Sequence, residues 1–384
     1  MMPARENYFT PAELILAVSL ELASKKWKIA LHDGQRENAA IRTVDGEEPM
    51  QRLRQVLAEI ARCKEKWGLP ENVRVVVLFE AGQDGFWIAR ALEQFGVKAV
   101  ICDPASLQVA RHARRAKTDR LDAIALVSAL RAWLGGKRDA MRIIRIPPVE
   151  AEGQRHLARD RGELQKEVLQ HCDRMRKLLR TVGCWTAVAG DFKQRLEQGK
   201  VRCYDGSPLP QHLLERLLRE CERMALVEQQ YNELEKSWFK QLPATVQDRV
   251  SKLQRLRAIG DVGSERLVLE LFWRNFENRR QVGAAVGLVP QPYDSGNSHA
   301  DQGISKQGNR RVRSLLIEMS WFWLRYQPES AISRWFAERT GGSKSKRGRR
   351  IAIVAVARRL VIALWRYLEH DVVPDGARLK TAAH

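Results

Sequence analysis

Residues 73–85, VRVVVLFEAGQDG, decide how the first third of the chain is read. The run 73–80 is apolar almost throughout and rich in β-branched residues, the pattern of a strand buried on both faces of a sheet. It ends in a carboxylate, Glu80, and a small-residue loop follows. That loop lies at the carboxyl end of the strand, where ligand sites in α/β sheets gather. Upstream, ELILAVSLE (13–21) and KWKIALHD (26–33) read as adjacent strands, and GEEPMQRLRQVLAEIARCKEKWG (46–68) has helical periodicity. Downstream come a helix (GFWIARALEQFG, 85–96), a strand (VKAVICD, 97–103) and a further helix from about residue 118. Strands in a meander, then alternating with helices, predict a mixed α/β sheet.

The charge balance narrows the partners. Across 384 residues there are 66 Lys and Arg against 46 Asp and Glu, a net charge of +20. Such an excess favours a polyanion, usually nucleic acid; a merely solvated basic surface is the alternative. Six cysteines (63, 102, 172, 184, 203, 221) contain no CxxC pair, which argues against a zinc site and a disulfide framework. No apolar run reaches the roughly 20 residues of a membrane span. The best candidate, IAIVAVARRLVIALW (351–365), is broken by Arg358 and Arg359, and the N-terminus has no signal-peptide core. The expectation is a cytoplasmic protein with no membrane partner.

Three textures suggest three regions: 1–145, the α/β sheet; 146–255, helical; and 256–384, mainly α, Gly-punctuated and basic. In the middle region Leu157, Leu164, Val168, Met175 and Leu179 fall near heptad spacing, and so do Leu214, Leu217, Cys221, Met224, Tyr231 and Trp238. Two helices returning on one another as an antiparallel coiled-coil arm, for spacing or dimerisation, would satisfy this; an ordinary helical bundle would too. In the third region IGDVGSERLVLELF (259–272) has a tight Gly turn before an amphipathic helix, similar to helix-hairpin-helix elements. GGSKSKRGRR (341–350) reads as a flexible basic loop whose Lys344, Lys346, Arg347, Arg349 and Arg350 contact phosphates.

Chemistry concentrates in KTDRLDA (117–123). Asp119 and Asp122, at i and i+3 of a helix start, point from one face. A hard divalent ion such as Mg²⁺ accepts such a pair. The alternative is a pair favoured by the helix dipole and neutralised by Lys117 and Arg120. Glu80 and Glu21, both at strand ends, are further candidates for the same metal, while Asp103 reads as a turn residue before Pro104.

The stretch LFEAGQDGFWIARALEQFGVKAVICDPASLQVARHARRAKTDRLDAIAL (78–126) resembles the transposases of the insertion-sequence one-ten family, including its eleven-eleven group. AAVGLVPQPYDSGNS followed by GISKQGNRRVRSLL (284–316) is similar to a second motif set of that family. The resemblance implies a ribonuclease-H-like (RuvC-like) DEDD domain, with Glu80, Asp119 and Asp122 at matching positions and Glu21 where the family has Asp. It implies Mg²⁺ on these four acids and a serine nucleophile, for which Ser295 of the S-G pair stands. Lys306, Arg310, Arg311 and Arg313 would then neutralise phosphates around the serine. It further implies donor and target DNA, a structured guide RNA (bridge RNA) pairing with both, and a dimer or tetramer whose composite site joins two protomers. A site-specific invertase of the same family and a binding-only copy share these motifs.

Overall fold

Three successive strands, β1 (Ile15–Leu22), β2 (Lys26–His32) and β3 (Ala40–Asp45), form an antiparallel meander. Helix α1 (Pro49–Trp67) then carries the chain across the sheet, so that β4 (Arg74–Glu80) pairs with β1 in parallel. Helix α2 (Trp87–Gln94) does the same for β5 (Lys98–Cys102). After α3 (Asp119–Leu134), the two-residue β6 (Ile143–Ile144) closes the far edge antiparallel to β5. The order across the sheet is β3-β2-β1-β4-β5-β6. Strand β4 is therefore interior, and its sequence follows from that place. Val75, Val77 and Phe79 join one core layer, shared with Leu53, Val56 and Ile88; Val76 and Leu78 join the other, shared with Ala123, Leu126 and Leu130 of α3. Each such side chain contributes about 1.5–3 kcal/mol by burial, which leaves no polar position on the strand between Arg74 and Glu80.

The computed structural model describes residues 14–82, 84–107, 118–295, 298–341 and 345–380. The chain divides into two compact units, Met1–Pro147 and Pro148–His384.

Two contacts set the direction of α3. Near its start, Ser19 Oγ of β1 donates to the Ala123 carbonyl oxygen at 2.6 Å. Near its end, Arg131 Nη1 donates to His32 Nε2 at 2.8 Å, and His32 pairs with Ala17 toward the amino end of β1. The helix thus runs antiparallel to β1, and its first turn overhangs the carboxyl ends of β1 and β4. Burial first, and the Arg131 charge second, hold the His32 ring below its ordinary pKa.

In the second unit, α4 (Val149–Arg180) and α6 (Gln211–Ser237) run antiparallel, with the short α5 (Phe192–Glu197) in the connection. Cys172 Sγ lies 3.5 Å from Met224 Sδ and Cys221 Sγ lies 3.6 Å from Met175 Sδ, while Arg161, farther back, meets Glu235. The seam differs from the heptad expectation. Leu164, Val168 and Tyr231 are only half-buried, whereas Arg161 and Glu220 take interior places. Glu220 is held by His171 at 2.7 Å and by Arg174 at 2.8 Å. Arg161 bridges Glu235 of α6 and Glu265 of α8 (Asp261–Glu270). Burial opposes the Arg161 charge, but hydrogen bonding to Glu235 and the charges of Glu265 and Glu235 outweigh it and hold its pKa above the ordinary value.

The remaining elements pack around one helix. They are α7 (Ala244–Gln254), α8, α9 (Arg279–Ala285), a hairpin of β7 (Pro290–Ser295) and β8 (Ser298–Ile304), α10 (Arg310–Tyr326) and α11 (Ala331–Thr340). The central helix is α12 (Lys346–His370), whose Val356, Ala357, Leu360, Val361 and Leu364 are fully buried. The apolar run 351–365 is thus a core helix, and no helix among the described residues is long and apolar enough to cross a membrane. One expectation is corrected here. Lys346, Arg347, Arg349 and Arg350 are not in a loop; they open α12, where Ser345 caps the helix by accepting from the Gly348 amide at 3.3 Å. Lys344 lies outside the described residues.

Candidate functional site

The four acids singled out from sequence share one end of the first sheet. Period-2 alternation puts Glu21 on the same face of β1 as Ala17 and Ser19, and Glu80 on the same face of β4 as Val76 and Leu78. That is the face α3 covers. Leu20 pairs with Phe79, so Glu21 and Glu80 are the next neighbours along two parallel strands. On α3 the buried stripe is Ala123, Leu126, Val127 and Leu130; stepping back four residues from Ala123 and Leu126 gives Asp119 and Asp122. Both aspartates therefore continue the sheet-facing stripe past the last packed turn. Thr118 caps this helix, and the two acids in its first turn face the positive end of its dipole.

The electrostatics agree with the backbone. The Cys102 thiol, opposite Glu80 in β5, is pushed up to about 12 by burial, then by the charge of Glu80, with smaller contributions from Asp103 and Glu21. The negative fields of both glutamates thus reach the same spot. Carboxylates are the kind of oxygen donor that a hard divalent cation such as Mg²⁺ accepts. Among the described residues no three His, Cys, Asp or Glu side chains are gathered as a group that could hold a metal ion. Asp103 begins a turn, its carbonyl accepting from the Ser106 amide at 2.9 Å. Arg120 is exposed on the first turn of α3, and Lys117 lies outside the described residues.

Ser295 belongs to the other unit. It is the last residue of β7 and pairs with Ser298 of β8, so Ser295 ends the first strand of a β-hairpin set in an otherwise helical region. The base of that hairpin is clamped. The Lys306 amide donates to the Gly287 carbonyl at 3.2 Å, the Ser305 amide to Val289 at 2.9 Å and the Asn309 amide to Ala285 at 3.0 Å. Asn309 also caps α10 by accepting from the Val312 amide, and its side-chain amide donates to buried Glu270 at 2.9 Å. Arg313 Nη1 donates to the Val286 and Gln307 carbonyls at 3.1 and 3.3 Å, so its guanidinium serves the clamp.

Two glycines make the clamp possible. Gly287 and Gly308 have φ of +66° and +79°, and a Cβ would stand 1.9 Å from the Gln307 oxygen or 2.3 Å from the Ala285 oxygen respectively. Replacing Gly308 with Ala is expected to lower stability by more than about 1 kcal/mol, because both the backbone conformation and the contact are refused. Thermal unfolding of the full chain checks this; an unchanged midpoint would mean that the loop relaxes freely.

The basic residues divide. Lys306, Lys346, Arg347 and Arg350 line a groove of about 1440 Å³ beside α12. Arg311 pairs with Glu163 at 3.5 Å, Arg349 lies over the Trp321 ring at 5.8 Å, and Arg310 is exposed at the start of α10. The groove also holds Arg279, Arg280, Arg358, Arg359 and Arg366, which the sequence reading did not select. The signal for two of them was present: Arg358 and Arg359 interrupt the most apolar run in the chain.

Comparison with known proteins follows the same regions. Residues 250–334, which hold the hairpin and its clamp, match the family described as Transposase IS116/IS110/IS902. The putative transposase y4rJ of Sinorhizobium fredii is 37% identical over 401 residues, covering 99% of this chain and 100% of its own. The transposase for insertion sequence element IS1111A of Coxiella burnetii is 26% identical over 309 residues, 77% of this chain and 78% of its own. The transposase for insertion sequence element IS1328 of Yersinia enterocolitica is 24% identical over 294 residues, 76% and 82% respectively. With one relative alike from end to end and the family's domain centred on the clamped hairpin, this chain belongs to the IS116/IS110/IS902 family of transposases.

Proposed function

We propose that this transposase cuts and rejoins DNA through Ser295, with Glu21, Glu80, Asp119 and Asp122 forming a metal-binding cluster of a RuvC-like domain. The observation that carries the reading is the placement of Glu21 and Glu80 at the ends of two neighbouring parallel strands, on the sheet face covered by the helix whose first turn holds Asp119 and Asp122, in a sheet ordered β3-β2-β1-β4-β5-β6. Glu21, Glu80, Asp119 and Asp122 would hold Mg²⁺, which when bound would supply positive charge against the charge that develops on a reacting phosphodiester.

The serine step balances simply. Ser295 Oγ forms a bond to phosphorus as the bond to one DNA oxygen breaks; the serine proton leaves, and the departing oxygen takes a proton to become a hydroxyl. A hydroxyl of another strand reverses the step, because the phosphoserine link conserves the bond energy. The acids and the serine reside in separate compact units, and in this reading the acids of one protomer work with the serine of another. The net charge of +20 suits a polyanionic partner, and in this reading the chain holds a structured guide RNA together with donor and target DNA.

The test is a covalent protein–DNA adduct on denaturing gels, from cells carrying the gene with its native flanks. Wild type should give a nuclease-sensitive shifted band, absent from Ser295→Ala and Asp122→Ala. Cleavage without an adduct, undiminished in Ser295→Ala, would make the chain a metal nuclease and remove the serine from the chemistry.

A further inference from the structure

The groove beside α12 has a composition that the strand-exchange reading does not require. Nine Lys and Arg side chains line it against a single carboxylate, Asp375, which is turned to Arg334 at 3.6 Å. Among the described residues none of the nine forms an ion pair. So many like charges around one hollow repel one another and call for a polyanion. At about 1440 Å³ it exceeds the roughly 300–1,000 Å³ of small-molecule pockets, so a polymer fits better than a metabolite.

Its second property separates kinds of polyanion. Basic and apolar side chains interleave at helical spacing along the open flank of α12: Arg350, Val354 and Arg358 lie four apart, beside Ile351, Ala355 and Arg359. Ile351 is 62% exposed. Trp335 of α11 also lines the groove, with the Arg359 guanidinium 4.0 Å from its ring centre. A duplex turns phosphates outward and hides its base faces, so it would leave these apolar groups wet. An unpaired strand offers both phosphates and bare base faces, the combination that aromatic-bearing basic grooves bind.

We propose that this groove holds a single-stranded stretch of nucleic acid, its phosphates on the arginines and its bases against Trp335, Ile351 and Val354. The choice of nucleic acid among polyanions rests on the reading of the chain as a recombinase. The groove reaches Pro290 and Ile304 at the base of the Ser295 hairpin. Pro290 and Ser295 are the first and last residues of β7, about 17 Å apart along the strand. An unpaired strand lying here is thus delivered toward the hairpin end.

Equilibrium binding tests it, with full-length Ser295→Ala protein so that no chemistry intervenes. Fluorescence anisotropy would compare labelled single-stranded DNA, single-stranded RNA and the blunt DNA duplex of the same sequence. Single strands should bind about tenfold or more tightly than duplex, and Trp335→Leu should weaken single strands alone by about tenfold. Arg350→Ala/Arg366→Ala should flatten the salt dependence of single-strand binding by about 1.4 in log–log slope. The pair Arg176→Ala/Lys177→Ala on α4, an equal loss of charge elsewhere, should change neither. Equal duplex and single-strand affinity, or equal losses from the α4 pair, would overturn the assignment. The DNA and RNA arms identify which strand is held. Because binding is read without the nucleophile, failure here leaves the serine reading standing, and failure of adduct formation leaves the groove standing.

Discussion

Glu80→Gln should slow DNA strand cleavage on the order of 10³-fold with no change in the thermal midpoint. The amide keeps the size and one acceptor oxygen of the carboxylate, but it replaces the other oxygen with an N–H donor and removes the charge. Glu80 ends β4 half-buried, past the last strand residue that joins either core layer. What depends on it is the negative field at the carboxyl ends of β1 and β4, the field that Cys102 registers. A metal site supplies several kcal/mol of charge stabilisation, and each 1.36 kcal/mol is tenfold in rate, which gives the magnitude. Asp103→Asn, one strand over, provides the comparison: its carbonyl opens a turn and its side chain is not among the four acids. Single-turnover cleavage of a labelled donor end measures both. A wild-type rate in Glu80→Gln would remove the acid cluster from the reaction.

Arg161→Ala should cost about 3–5 kcal/mol, the usual consequence of stripping one partner from a buried ion pair. Glu265 is 1% exposed, and its Oε1 already has no hydrogen-bond partner among the described residues. Without Arg161 its charge would be stranded between α4, α6 and α8. The double variant Arg161→Met/Glu265→Gln should lose less than Arg161→Ala, since no charge then remains buried. Urea denaturation of the full chain, followed by helix content, checks both. Equal losses in the two variants would mean that packing, for instance of Arg161 against the Trp238 ring at 5.3 Å, matters more than charge.

The parts of the chain that could be read from sequence are those where burial writes a period. Strand β4 shows as an apolar run because both its faces are covered, and α1 shows as an amphipathic stripe because one face is. Strand β3 escaped notice: as an edge strand it buries only Val44 of AIRTVD and so carries no alternation. The start of α12 escaped for the opposite reason, since a basic, Gly-containing stretch reads as loop unless its Ser345 cap is recognised. In the arm, Arg161 occupies an interior place that heptad counting reserves for Leu, and Glu220 is buried beside the seam, because ion pairs rather than apolar contacts fill these places. The places of the four acids, at two strand ends and in the first turn of a helix, were legible from apolar runs and i, i+3 spacing. The groove was not, because its arginines come from α9 and α12 and Lys306 from the hairpin base, which only the tertiary fold brings together.

The ion cluster at Arg161 has a mechanical reading as well. Between Arg161 and Arg180 lies about 28 Å of helix, and beyond it stand Trp185 and Tyr204, 77% and 83% exposed. The arm is a lever, and Arg161 sits at its fulcrum. Each degree of tilt permitted there displaces the far end by about 0.5 Å at that radius. A loosened root of only ten degrees or so therefore moves the exposed aromatics by about 5 Å, more than the width of a hydrogen bond. Substitutions that barely disturb the core would be felt first by whatever meets the tip.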